Sequence, residues 1–113
     1  MKREFLDYVE DIIGAINDVA GFIKDIEYDD FKNNKKTVYA VIKAVEIIGE
    51  ASKNIPDRIK EHYPKVPWKE MAGMRDKMTH EYFGANLQRV WETAQKDIPD
   101  LKLQFEEILE LES

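Results

Sequence analysis

Phe5-Leu6-Asp7-Tyr8-Val9-Glu10-Asp11-Ile12-Ile13-Gly14-Ala15-Ile16-Asn17-Asp18-Val19-Ala20-Gly21-Phe22-Ile23-Lys24-Asp25-Ile26 is the stretch from which the architecture follows. Phe5, Val9, Ile12, Ile16, Val19, Ile23 and Ile26 recur at alternating spacings of four and three. That seam belongs to a helix packing at a shallow angle in a bundle. Leu6, Ile13 and Ala20 widen the stripe as a core-facing helix requires. The pattern predicts one helix over residues 2–27. Gly14 and Gly21 fall inside it seven apart, where they imply a close helix approach. The acidic run Glu27-Tyr28-Asp29-Asp30 ends it, with Asp29 or Asp30 placed to cap the next helix.

Outward from that stretch the same period returns. Val38, Val41, Ile42, Val45, Ile48 and Ile55 form one apolar face of a second helix, starting at about 30 or 33 and ending near 54. Ala40, Ala44, Ile47 and Ala51 form another, leaving a narrow polar stripe through Lys43, Glu46, Glu50 and Lys53. A helix apolar nearly all round is buried on most sides, which in a chain this size points to a partner subunit. Glu46 and Glu50 read as solvated.

Pro56, Pro64 and Pro67 break regularity, with room for a short helix from Pro56 to about Tyr63 carrying a surface histidine, His62. A third main helix spans about 67–82, anchored by Trp68, with Met71, Met74 and Met78 as a core stripe. Gly84 stops it and Asn86 caps the next. There, Leu87, Trp91, Ala94, Ile98, Leu101, Phe105 and Ile108 again alternate four and three. Because the register runs through Pro99, that proline predicts a kink or brief interruption in one rod, not a reversal. The expected fold is therefore all-α: an antiparallel four-helix bundle with a short extra helix in the 55–65 connection, forming one domain over 1–113.

Composition narrows the function. The 113 residues contain no cysteine, so disulfides, thiolate metal sites and cysteine nucleophiles are excluded. Two imidazoles, His62 and His80, are too few for an ordinary zinc site, and no metal is expected. The N-terminus turns acidic too early for a signal peptide, and no run is apolar enough to span a bilayer. A soluble cytoplasmic protein is expected. A net charge of −6 argues against broad electrostatic binding of nucleic acid, but leaves room for a local pocket handling one phosphate.

Such a pocket has one candidate, Met74-Arg75-Asp76-Lys77-Met78-Thr79-His80-Glu81-Tyr82-Phe83-Gly84. Arg75 is a permanent cation whose planar fork matches phosphate oxygens. His80 moves protons near neutral pH, and Tyr82 offers a hydroxyl. This set suits metal-independent RNA cleavage, in which the RNA's own 2′-hydroxyl is the nucleophile. Histidine then acts as base or acid, and arginine stabilises the phosphorane. Asp76, Thr79 and Glu81 are placed to orient these groups or to be plain surface residues. Positions five apart on a helix point about 140° away from each other, so one helix does not aim Arg75 and His80 at one point. Two copies across a two-fold axis would.

The motif Arg75-x4-His80-x-Tyr82 resembles that of HEPN-domain toxins of the HepT type. So do Ile47-Ile48-Gly49-Glu50-Ala51, Pro67-Trp68, Tyr82-Phe83-Gly84 and Val90-Trp91, in this order over nearly the whole chain. The resemblance implies a HEPN bundle that dimerises, bringing two motifs together as an endoribonuclease with Arg75 and His80 as catalytic pair. It implies no cofactor. It further implies a minimal nucleotidyltransferase (MntA-like) antitoxin as partner, adding AMP to Tyr82. A non-catalytic HEPN dimer that binds a nucleotidyltransferase or nucleotide is the competing expectation.

Overall fold

The computed structural model describes residues 4–83 and 86–113, with side chains described throughout except at 77 and 79–83. The described residues form seven α-helices in an all-α fold: α1 (Phe5–Phe22), α2 (Tyr28–Lys32), α3 (Lys35–Lys53), α4 (Asp57–His62), α5 (Trp68–Phe83), α6 (Leu87–Glu92) and α7 (Lys102–Glu112). No strand occurs among the described residues. None of their helices is long and apolar enough to cross a membrane.

The heptad of α1 buries Val9, Ile12, Ile16 and Val19, together with Ala15. The helix is shorter than its pattern. It ends at Phe22, and the chain turns through Asp25 at φ 60°, a left-handed conformation that aspartate tolerates better than most residues. Ile23 and Ile26 still pack against the core from the turn. The periodicity therefore outlasts the helix and conceals its end. The capping potential read at 29–30 serves α2, a helix the apolar pattern does not announce. Asp30 accepts a hydrogen bond from the Glu27 backbone N–H at 3.0 Å. This α2 exists to bury Phe31, whose ring meets Trp91 at 5.0 Å between centroids.

Asn34 caps α3, accepting from the Thr37 backbone N–H at 3.1 Å. This helix lies at the centre of the bundle, packed on α1 on one side and α5 on the other. Its apolar faces bury Val38, Val41, Ile42, Val45 and Ile48, but Tyr39 is 52% and Ile47 39% exposed. The extra helix in the 55–65 connection is α4, capped by Pro56, and His62 on it is exposed as expected.

After α6, five residues, Thr93–Asp97, form a π turn, and Pro99–Leu101 a 3₁₀ turn, before α7 begins. Proline has no N–H to donate to the preceding turn. The chain accommodates it by widening first, with the Ile98 N–H bonding the Thr93 carbonyl at 3.0 Å. The backbone stays right-handed helical on both sides, at Ile98 and Lys102. The rod is interrupted, not reversed. Trp91, Ala94, Ile98, Leu101, Phe105 and Ile108 are all buried. Its first half packs on α5 and its second on α1, which closes the bundle.

Candidate functional site

The site is built where α3 and α5 touch most closely. A Cβ added at Gly49 would stand 3.0 Å from the Met71 carbonyl oxygen and 3.3 Å from the Arg75 nitrogen. Real Cβ atoms rarely come so near backbone, so only glycine lets the helices meet at this separation. Gly49 lies near the end of α3 and Met71–Arg75 near the start of α5, so an extended contact between them must be antiparallel. The close approach expected at Gly14 and Gly21 is absent among the described residues: none of them lies within 4 Å of a Cβ at either.

Met71, Met74 and Met78 fix the rotation of α5, all three buried as expected. At about 100° per residue, Arg75 then falls on the rim beside α3. Its side chain is 56% exposed and its Nη1 lies 3.5 Å from Oε2 of Glu50, itself 55% exposed. Asp76 is exposed on the same helix. His80 and Tyr82 fall on α5, but their side chains, with those of Thr79 and Glu81, lie outside the described residues, as does Gly84.

Glu50 is the partner that the sequence pattern presents only as a solvated residue. Solvated it is, but it faces the arginine. The one hint is that Glu50 directly follows a glycine, and Gly14 and Gly21 show that a glycine in an apolar helix does not by itself mark close approach. Among the described residues no cluster of His, Asp and Glu could hold a metal ion. A groove of about 660 Å³ lies on the far side of α5 against the last rod, over Met74, Met78 and Leu101. Its rim carries Glu70, Asp97 and Asp100 against Lys69, an acidic surround unsuited to phosphate, and Arg75 does not line it.

Arg75 is therefore open to an approaching anion, on a helix whose rotation the core has fixed. Asn86, capping α6 through the Arg89 N–H at 3.2 Å, restarts the chain after α5.

Comparison with known proteins covers nearly the whole chain. A profile of the family described as Ribonuclease HepT-like matches residues 12–108. A Thermococcus cleftensis protein, provisionally named ribonuclease HepT, is 52% identical over 108 residues, covering 96% of this chain and 98% of that one. A Methanocaldococcus jannaschii protein, provisionally named an RNase, is 49% identical over 108 residues, covering 96% and 93% of the two chains. A second from that organism, named likewise, is 48% identical over 108 residues, covering 96% and 89%. No solved structure matches significantly.

Proposed function

The chain belongs to the HepT-like ribonuclease family, and from that premise we propose that it is a metal-independent endoribonuclease, the toxin of a toxin–antitoxin pair, working as a homodimer. The observation that carries the reading is Arg75: a cation held on a core-locked helix, half in solvent, at the first position of the Arg-x4-His-x-Tyr motif. In this mechanism a base takes the proton of the 2′-hydroxyl, and the 2′-oxygen attacks the adjacent phosphorus. The 5′-oxygen leaves with a proton from the acid, giving a 2′,3′-cyclic phosphate. Arg75 neutralises the charge gathering on the phosphoryl oxygens, and His80 handles a proton. Asp76, Thr79 and Glu81 are the supporting side chains of this stretch.

Helix geometry supports the homodimer. Arg75 and His80 diverge by about 140° on one helix, so each catalytic cleft draws on both copies. Exposed Tyr39 and Ile47, on the helix that carries Glu50, supply apolar surface for the second copy. Silencing falls to a minimal nucleotidyltransferase antitoxin that adds AMP to Tyr82. Each AMP brings bulk and a negative phosphodiester to a site made for RNA phosphate, and so repels substrate.

The test is digestion of RNA by the purified protein in the presence of a chelator. Cleavage that is lost in both Arg75→Ala and His80→Ala is the expected result. Intact RNA with an unmodified Tyr82 would overturn it, and would favour instead a non-catalytic dimer that binds the nucleotidyltransferase or a nucleotide. Mass spectrometry after co-expression with the partner reads the regulation, as added AMP on Tyr82.

A further inference from the structure

We propose that Glu50 is a positioning residue for Arg75, holding one edge of the guanidinium so that the other meets the scissile phosphate. The proposal rests on the ribonuclease reading and adds to its site a residue from another helix.

Three observations carry it. The Gly49 contact fixes the α3 and α5 backbones against each other at the residue before Glu50 and at the nitrogen of Arg75 itself. Both side chains therefore spring from points that cannot drift apart. Next, the pair is made in the open: Nη1 to Oε2 is 3.5 Å, with both side chains more than half exposed. Ion pairs so exposed add little to folding, because water screens them and two long side chains must be ordered. Stability does not account for the arrangement. Finally, the contact with Glu50 engages Nη1, whereas a guanidinium carries five N–H donors in a rigid fork. Among the described residues the rest of the fork has no other hydrogen bond or ion pair, which suits it to grip two phosphoryl oxygens side by side. An arginine oriented by a carboxylate is already in place for the charge that develops on the phosphoryl oxygens in the transition state, and that advantage appears in kcat. Glu46 on α3 and Asp76 on α5 are the nearby carboxylates in the same stripe and helix. Gly49 sets Glu50 rather than Glu46 opposite the arginine.

The experiment measures kcat and KM for single-stranded RNA cleavage, with Tm, in the full chain and its variants. Glu50→Ala is expected to lower kcat on the order of ten-fold with KM changed less than about two-fold and Tm unmoved. Glu50→Gln keeps an acceptor oxygen at the same reach and restores part of the rate. In an Arg75→Ala background, Glu50→Ala has no further effect. Glu46→Ala, the control for charge alone, matches the parent. If Arg75→Ala stops cleavage while Glu50→Ala leaves kcat and KM at parent values, the positioning role is overturned and the ribonuclease reading stands. If the parent leaves RNA intact, or cleavage survives Arg75→Ala, the ribonuclease reading falls and the positioning role with it. A loss shared equally by Glu46→Ala, or tracking a fall in Tm, also overturns the proposal.

Discussion

Tyr63 donates its hydroxyl to Oε2 of Glu112 at 2.7 Å, tying the proline-rich connection to the last turn of the chain. Burial first, and then the Glu112 carboxylate, push the phenol up to about 12 from its usual 10.0. A group whose folded pKa is raised holds its proton more tightly in the native state. Its contribution is therefore complete below pH 10.0 and lost as pH rises toward about 12. Thermal melts of the parent should fall across that alkaline window more steeply than those of Tyr63→Phe. At neutral pH, losing the bond should cost Tyr63→Phe about 1 kcal/mol.

The glycines divide into two kinds. Gly14 and Gly21 sit in α1 with open space where a Cβ would go, so Gly14→Ala and Gly21→Ala should each stabilise by about 0.5–1 kcal/mol through helix propensity. At Gly49 the same change drives a methyl group against the Met71 carbonyl, and Gly49→Ala should destabilise by roughly 1–3 kcal/mol. Urea midpoints of the three variants read the opposite signs directly.

Phe105 is wholly buried on α7, and Trp68 meets it edge-on at 5.5 Å. Trp68 is held in turn by its indole N–H on the Tyr63 carbonyl at 3.0 Å. Phe105→Ala should cost about 3–5 kcal/mol, the cavity adding to the lost burial. Equilibrium denaturation at an unchanged slope is the measurement.

Asn34 and Asn86 each cap a helix through the side chain. Asn34→Ala and Asn86→Ala should each destabilise by about 1 kcal/mol. The two sites share no partner, so the double variant should lose close to the sum in the same assay.

Much of this is legible in the sequence because burial follows period. The rod after Asn86 shows it: of seven apolar positions spaced four and three, six are buried and Leu87 packs half-buried against the core, across a π turn and a proline. Period says which face is buried but not where a helix stops. Ile23 and Ile26 keep the seam of α1 running past Phe22, and only the left-handed Asp25 breaks it. The short α2 carries too few apolar residues to have a period at all. At the site, Arg75 is legible by its type and spacing. Glu50 is not, because its partner lies on another helix and the contact depends on how near two backbones come. Gly14 and Gly21 invite the inference of close approach that belongs to Gly49, since a sequence cannot say which face of a glycine meets a neighbour.

Gly49 has no side chain to contribute to chemistry, yet it sets the gap across which a carboxylate and a cation face each other. The proposed site is thus not portable with its motif. Grafting the α5 segment into another helical bundle would transfer Arg75, His80 and Tyr82 in their spacing, but leave behind the spacer that gives Arg75 its neighbour. A transplant would have to carry a pair of helices, with a glycine at the crossing, to bring the arginine along in working order.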